Sequence, residues 1–383
     1  MVNKSSAVSG YCRRNDEAVS LALPRGTLSL LGIVLFVLSS SAHGSETVRV
    51  AIADDQQWVT LASPSGLIVE GDRSGRVEKK MTVSPASVGA RPVRVRSTQE
   101  FIGVNGKSYR GWIEIRKKKN GTLLLINELD IEEYLMGVVA EEIPSTWEFE
   151  ALKAQAVASR TYALYQKKRA GSRPYHIRAT INSQIYSGRS GERDSTVRAV
   201  RETAGMVVAY NGEVIPAFYH SSCGGHTEDA SELWDIDAPY LKGVDCDCQE
   251  ISRYGLWEKR FSISSISAAL GKNGYRLKDV SAMAVGTITP AGRVKNVTVR
   301  HAGGASTVPA ETLRAAIGYA RIPSVFFEAA MSGREVIVSG RGLGHGVGLC
   351  QWGAREMAGR GYDFKAILNH YYPGTSIAPI DAR

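Results

Sequence analysis

The sequence lacks three features that would each have set its class. No residue type dominates the 383 residues, of which 43% are hydrophobic and 22% charged, and this excludes a collagen-like or disordered chain. No fixed period of about 20 to 50 residues recurs, so a repeat architecture is not expected. No segment after residue 44 is apolar enough to cross a membrane. What remains is a globular chain that is long enough to bury a sizeable core, since a domain usually has about 100 to 200 residues.

The first 44 residues have the order of a secretory signal. Basic residues precede the apolar run Leu28–Leu38, and small residues with Ala42-His43-Gly44 follow it. The run is shorter than the roughly 20 residues that span a bilayer, so we expect cleavage after Gly44. The alternative is a signal anchor that is not cleaved. Only in that case would the protein stay attached to a membrane. Both interpretations place the rest of the chain outside the cytoplasmic membrane, in the periplasm or cell envelope.

The chain is basic, with 47 Lys and Arg against 38 Asp and Glu, and it stays basic without residues 1–44. For an exported protein this favours lipid headgroups or anionic envelope polymers over nucleic acid as partners. The run Arg116–Lys119 is interpreted as solvated charge rather than a binding patch. Asn120-Gly121 follow it between two apolar stretches, which is the pattern of a hairpin turn.

Two regions differ in their patterning. Residues 45–125 contain short alternating stretches, such as Val48–Ile52, separated by turn residues, which predicts a small β-rich N-terminal domain. Residues 126–383 mix helical and strand patterns, so we expect a larger α+β domain with a central cleft. Within it, residues 262–335 are interpreted as an insertion or subdomain without evident chemistry.

The clearest helix signal lies near the start of the larger domain. A short helix and an apolar strand fit residues 127–144. Ser145 and Glu148 have the spacing of a capping box, which predicts a helix that continues through Lys168. Lys153 and Arg160 are seven residues apart and share one face of it. A solvated face is one interpretation of this pair.

Glu141 and Glu142, just before that helix, are the best carboxylate candidates. In an extended segment successive side chains point to opposite faces, so only one of them would face a cleft. Desolvation beside apolar residues disfavours the charged form of a carboxyl group, which suits a general acid near neutral pH. The alternative is two exposed glutamates.

The segment Gly340–Gly353 is rich in glycine but does not fit a phosphate loop. It lacks the Lys-Ser/Thr pair of a Walker loop and the setting of a dinucleotide loop. Instead His345, Gln351 and Trp352 are interleaved with the glycines, and an aromatic ring beside donor and acceptor groups suits a sugar. A tight chain crossing with a buried, hydrogen-bonded His345 is the alternative.

Four cysteines remain after residue 44, namely Cys223, Cys246, Cys248 and Cys350. An even number in an exported chain favours disulfides. Cys246 and Cys248, however, are too close for an easy mutual bridge. A metal site is therefore a competing interpretation.

Four blocks of the sequence, in this order, resemble the stage II sporulation protein D family, also called SpoIID/LytB: Glu132–Pro144, Ala151–Ala163, Tyr219–Thr227 and Gly344–Ala354. The resemblance covers about residues 107–383, and four long blocks are far more specific than one short pattern. It implies a peptidoglycan lytic transglycosylase. Such an enzyme cleaves MurNAc–GlcNAc linkages in glycan strands whose stem peptides an amidase has removed.

The resemblance also implies roles for particular residues. Glu142 falls at the acid of the family's Ser-Glu-Met-Pro block, with Glu141 at the Ser position. Lys153 and Arg160 fall in the block around the active site. The expected substrate-binding residues are therefore these two together with His345, Gln351 and Trp352.

The implied chemistry needs one carboxyl group and gives a 1,6-anhydro sugar, whereas a hydrolase would need a second carboxylate. The alternative function is a non-catalytic wall-binding protein that stimulates an N-acetylmuramoyl-L-alanine amidase, as the LytB side of the family name indicates. Glycan strands are the expected partner in both functions. A cell-wall amidase is a further expected partner.

Some family members bind zinc near the active site through His and Cys, and nitrogen and sulfur ligands suit tetrahedral zinc. By that resemblance the expected ligands are Cys223, His226, Cys246 and Cys248, with His220 as a substitute. One residue separates the last cysteine pair, whereas two is the usual spacing. A disulfide from Cys223 to Cys246 or Cys248 is the competing expectation, and Cys350 is assigned to packing.

Overall fold

The computed structural model describes residues 46–74, 77–180, 183–234 and 236–380. The predicted signal segment lies outside these residues. Among them, no helix is both long and apolar enough to span a membrane. The α+β class predicted from the sequence is confirmed.

The first part of the chain forms a nine-stranded sheet. Its strands are β1 Thr47–Gln56, β2 Val59–Val69, β3 Glu78–Val83, β4 Val93–Ser97, β5 Ile102–Val104, β6 Lys107–Tyr109, β7 Trp112–Lys117, β8 Leu123–Asp130 and β9 Ile177–Arg178. The order is β6-β5-β2-β4-β7-β8-β1-β9, with β3 beside β2. All pairs are antiparallel except β1 with β9. Since β8 ends at Asp130 and β9 comes later, the sheet takes strands from both sides of residue 125.

Strand β8 is buried on both faces of this sheet. Leu123 and Leu125 belong to the main core, whereas Leu124 and Ile126 belong to a small cluster on the other side with Ala51. This follows from the alternation of side chains along a strand. The hairpin predicted at Asn120-Gly121 joins β7 to β8, and Gly121 has the positive φ of 81° that such a turn requires.

Four helices follow: α1 Ile131–Met136, α2 Val139–Glu142, α3 Phe149–Ala170 and α4 Asp194–Glu202. Of these, α1 and α3 contact the sheet, and α2 and α4 pack on α1 and α3. Asp130 caps α1 by accepting hydrogen bonds from the backbone N–H groups of Glu132 and Glu133. The apolar strand predicted before residue 144 is wrong, because that stretch forms α2. The predicted capping box is also wrong, since α3 begins at Phe149 and its N-cap is Glu148, without a side-chain cap.

The rest of the chain adds short strands and helices. They are β10 Met206–Tyr210, β11 Glu213–Val214, β12 Tyr219–His220, α5 Ala230–Leu233, β13 Trp257–Ser262, α6 Ile263–Lys272, β14 Ala282–Val285, β15 Asn296–His301, β16 Gly304–Pro309, α7 Ala310–Ile317, β17 Phe327–Ser332, β18 Glu335–Gly340, β19 Leu349–Cys350, α8 Gln351–Gly359, α9 Phe364–Tyr371 and β20 Ser376–Pro379. The segment predicted as an insertion has two three-stranded sheets, β14-β15-β16 and β13-β18-β17. Its buried side chains, from Phe261 to Val338, form a separate core.

Helix α3 lies deep in the structure and carries a buried charge. Arg160 is fully buried, and its guanidinium donates to both carboxylate oxygens of Glu132, at 2.7 and 2.5 Å. It also donates to the carbonyl oxygens of Val200 and Met206. This one side chain therefore ties α3 to α1, α4 and β10.

We expect Arg160→Met to lower the free energy of unfolding by about 3 to 5 kcal/mol, because it leaves the Glu132 carboxylate in the interior without its cationic partner. Urea denaturation of the purified protein measures this. The control on the same helix is Lys168→Met, whose partner Glu213 is exposed like Lys168 itself, and which should cost less than about 1 kcal/mol. Equal effects of the two substitutions would contradict a structural role for Arg160.

Candidate functional site

Glu142 is the last residue of α2, and its carboxyl group lies against the interior. Oε1 accepts a hydrogen bond from the backbone N–H of Ile185 at 3.0 Å, and the Tyr219 hydroxyl is a second partner. Burial raises the pKa of Glu142 from an ordinary 4.5 to about 7, against the lowering effect of these two hydrogen bonds, and the nearby Glu141 raises it further. The carboxyl group is therefore close to half protonated at neutral pH.

Glu141 has a different environment, although not for the reason predicted. The two glutamates lie in a short helix and not in an extended segment, so they are not on opposite faces of a strand. The Glu141 side chain packs beside Gly191, where an added Cβ would lie 3.3 Å from its Cγ. Of the two, Glu142 is the one that the Ile185 N–H and the Tyr219 hydroxyl hold.

Gln184 orients the groups around the acid. Its amide nitrogen donates to the Tyr219 hydroxyl and to the carbonyl of Ser159, both at 3.2 Å. Its amide oxygen accepts from the Tyr134 hydroxyl at 3.0 Å. Because the Tyr219 hydroxyl accepts from Gln184, its own proton is available to Glu142. Gln184 is fully buried and comes from an irregular segment, and no sequence pattern singled it out.

Gln351 lies at the other end of a buried chain of polar side chains. Its amide nitrogen donates to Gln155 at 3.3 Å, and Gln155 donates to the Ser159 hydroxyl at 2.9 Å. Ser159 in turn hydrogen-bonds Tyr219. Gln351 is 7% exposed. Its amide therefore supports the network around Glu142, which differs from the prediction that it binds substrate directly.

His345 has both ring nitrogens occupied. The backbone N–H of Val347 donates to Nδ1 at 3.1 Å, so Nε2 carries the proton and donates to the carbonyl of Tyr219 at 3.0 Å. Burial lowers the pKa of His345 to about 4, so the ring is neutral near pH 7. The alternative interpretation, a hydrogen-bonded internal histidine, describes it better than a substrate-binding role.

Both predicted cations on α3 are paired with carboxylates of this chain. Arg160 is fully buried against Glu132, because α3 packs between α1, α4 and β10. Lys153 forms ion pairs with Glu150 and Glu202, each at 3.0 Å. Burial therefore removes Arg160 from the surface that a glycan could contact, whereas substrate binding by Lys153 stays a prediction.

Trp352 has a partner that the sequence analysis missed. Its ring centroid lies 4.9 Å from that of Trp147, and the Arg355 guanidinium lies over both rings. Both tryptophans are partly exposed. Trp147 comes five residues after Glu142, and a tryptophan so close to a candidate acid is the signal that could have found it.

The four cysteines converge, although not with the predicted histidines. The Sγ atoms of Cys223, Cys246, Cys248 and Cys350 all lie within 4.8 Å of one another, and all four residues are buried free thiols. Tetrahedral zinc with Zn–S bonds of about 2.3 Å places its sulfurs about 3.8 Å apart, so the donor set and spacing fit that ion. The disulfide expected for Cys223 is not formed.

Cys350 belongs to this thiol cluster because β12 and β19 are parallel neighbours that pair His220 with Cys350. Its Sγ accepts from the N–H groups of Cys223 and Gly353, at 3.3 and 3.4 Å. Its assignment to packing alone was incomplete. Among the described residues, the group that could hold a metal consists of these four cysteines and includes neither His226 nor His220.

Two family models match parts of the chain. A family model described as Stage II sporulation protein matches residues 119–210, which include Glu142, Gln155 and Gln184. A second model, described as a domain of unknown function (DUF8618), matches residues 230–348.

Three relatives match most of the chain. An uncharacterized protein of Brachyspira hyodysenteriae is 33% identical over 287 residues, covering 74% of this chain and 76% of that protein. The amidase enhancer of Bacillus subtilis is 29% identical over 327 residues, covering 73% of this chain but 45% of the relative, so the chain spans less than half of it. Stage II sporulation protein D of Bacillus subtilis is 32% identical over 275 residues, covering 67% of this chain and 77% of that protein. This chain therefore belongs to the stage II sporulation protein D family.

Proposed function

We propose that this protein is a lytic transglycosylase that cleaves MurNAc–GlcNAc linkages in peptide-free glycan strands of peptidoglycan. The observation that carries the proposal is the Glu142 carboxyl group, whose pKa is raised to about 7 in a chain of this family. A group with that pKa can deliver a proton at neutral pH and take one back. Export to the periplasm or cell envelope is part of the proposal, because the substrate lies there.

The reaction needs two proton transfers by the same carboxyl group. Protonated Glu142 gives its proton to the glycosidic oxygen as the bond from that oxygen to C1 of MurNAc breaks. The resulting carboxylate takes the proton of the MurNAc O6 hydroxyl, and O6 bonds to C1. The products are a 1,6-anhydro-MurNAc end and a free hydroxyl on the leaving GlcNAc, and no water is consumed.

The residues around Glu142 serve this cycle. The Ile185 N–H and the Tyr219 hydroxyl stabilise the carboxylate formed after the first transfer, while burial favours the acid that must form again. Burial raises the pKa of Tyr219 well above its ordinary value, so its hydroxyl keeps the proton that it shares with Glu142. Trp147 and Trp352 offer a partly exposed aromatic surface for sugar rings.

The second candidate function is stimulation of a cell-wall amidase without catalysis. The 29% identity to a protein named amidase enhancer favours it. In that case the chain would bind glycan and an amidase, and Glu142 would be dispensable. Product analysis distinguishes the two functions.

The thiol cluster fits zinc as a structural ion held by Cys223, Cys246, Cys248 and Cys350. Four thiolates complete a tetrahedral shell and leave no open position for water or substrate. When bound, zinc would tie the Cys246–Cys248 turn to Cys223 and to the start of α8. No step of the proposed reaction passes through it.

We expect the wild-type protein to release 1,6-anhydro-MurNAc ends from peptide-free glycan strands, and Glu142→Gln to lower the rate by about 10²- to 10⁴-fold, because an amide cannot deliver a proton of suitable acidity. Mass spectrometry of the products measures both. Glu141→Gln is the matched control and should keep most of the activity. Reducing MurNAc ends would indicate hydrolysis, and glycan binding without any product would favour the amidase-stimulating function.

The raised pKa of Glu142 also predicts a stability difference that does not require activity. The folded state holds this proton up to about pH 7, whereas the unfolded state loses it near pH 4.5, so wild-type stability falls as pH rises between these values. Glu142→Gln removes this dependence. Relative to wild type, it should therefore gain stability from pH 5 to pH 8 in thermal unfolding. A constant difference across that range would mean that the carboxyl group is not desolvated.

If zinc occupies the thiol cluster, protein purified under mild reduction should contain about one metal ion per chain. Cys350→Ser and Cys246→Ser should each lower that content, and His226→Ala should not. Metal analysis by mass spectrometry measures this. An oxidised cysteine pair without metal would contradict the zinc site, and loss of metal in His226→Ala would restore the ligand set expected from the sequence.

A further inference from the structure

The segment matched by the domain of unknown function sends one arginine into the interior beside the candidate site. Arg293 ends a tight turn that begins at Thr289, closed by hydrogen bonds from the N–H of Thr289 to the Arg293 carbonyl and from the N–H of Gly292 to the Thr289 carbonyl. Its side chain leaves the separate core of this segment and is only 2% exposed. A buried cation on a turn is costly unless it has specific partners.

The partners of Arg293 lie on the loop that carries Cys223. Nη2 donates to the carbonyl oxygens of Cys223 and His226, both at 2.8 Å. A single planar group thus fixes both ends of this four-residue loop. A lysine in the same place could not present the same fork of donors.

Arg293 is also pressed against the glycine-rich segment. A Cβ added to Gly346 would lie 2.5 Å from Nε and Nη2 of Arg293, so the guanidinium occupies the place of a side chain there. Gly346 follows His345, whose ring donates to the carbonyl of Tyr219. The arginine therefore touches both loops that meet along β12 and β19.

The charge of Arg293 is balanced by Glu228, which is equally buried. Their closest atoms, Nη1 and Oε2, are 3.5 Å apart, and the Thr289 hydroxyl donates to Oε2 at 2.6 Å. The N–H of Glu228 donates to the carbonyl of Gly346 at 2.8 Å. The pair joins the turn at Thr289 to the same two loops.

We propose that Arg293 is a positioning residue, through which the turn Thr289–Arg293 holds the Cys223–His226 loop and the Gly346 segment in place. The thiol cluster depends on the first loop, and Tyr219, the partner of Glu142, lies against the second through His345. The effect on catalysis rests on the proposed function, whereas the effect on the thiols does not.

The test uses the whole chain with Arg293→Met, the double variant Arg293→Met with Glu228→Gln, and Arg321→Lys, which changes an exposed arginine of the same segment, as the control. The single variant leaves Glu228 buried without its partner and should be destabilised, and the double variant should recover much of that stability.

In both variants, we expect N-ethylmaleimide to label Cys223 and Cys350 at least about tenfold faster than in wild type, through local opening of the loops. Turnover of peptide-free glycan should fall by a similar factor.

Amide hydrogen exchange of α3 separates positioning from general stability. Faster labelling of the cysteines without a matching rise in α3 exchange supports the proposal. Labelling that rises only in proportion to α3 exchange, or wild-type labelling in the double variant, overturns it. A wild-type protein without turnover would overturn the proposed function, and the labelling result would still decide the role of Arg293.

Discussion

The chemistry available to this protein depends on the opposition between burial of the Glu142 carboxyl group and two hydrogen bonds to it. Burial raises the pKa of this carboxyl group, and the hydrogen bonds from the Ile185 N–H and the Tyr219 hydroxyl lower it. Each donor has to be held in place by something else. For Tyr219 that is Gln184, which is fixed in turn by Tyr134 and by the Ser159 carbonyl. A satisfied buried network of this kind is rigid, because every displaced group would lose a partner in a medium of low polarity.

Helix α3 supports this network, because polar side chains lie among its buried apolar residues. Gln155, Ser159 and Arg160 are all nearly or fully buried, among small alanines that let neighbouring elements approach closely. Arg160 forms hydrogen bonds with residues of α1, α4 and β10. Gln155 and Ser159 instead form hydrogen bonds that lead to Gln351 and Tyr219. One face of the helix, with Arg160, therefore holds neighbouring elements together, and another face, with Gln155 and Ser159, supports the candidate catalytic site. This division explains why the cation that looked suited to substrate lies in the interior.

Local patterns predicted what depends on local physics. Alternating stretches predicted the strands, and Asn120-Gly121 predicted the hairpin turn. Glu142 was a candidate acid because it lies between apolar residues and a helix. Predictions that depended on tertiary contacts were wrong, each for a physical reason. The hydroxyl of Ser145 has the spacing of a cap, but the chain enters α3 later, at Glu148. His226 has ligand spacing, but the group of described side chains that could hold a metal contains only the four cysteines. Gln184 has no pattern around it, because its importance comes entirely from contacts with residues distant in sequence.

The pairing of β12 with β19 connects the two parts of the site. Two residue pairs, Tyr219 with Leu349 and His220 with Cys350, bring together segments about 130 residues apart. On one side of this short ladder Tyr219 reaches Glu142, and on the other Cys350 joins Cys223 in the thiol cluster. Two strands of two residues each are too short to be stable alone. Their register must be held by what surrounds them, namely the thiol cluster, the His345 bonds and the buried pair of Arg293 and Glu228. The candidate acid is therefore positioned by a ladder whose supports come from the far end of the chain, which is why no window of sequence around Glu142 could specify its site.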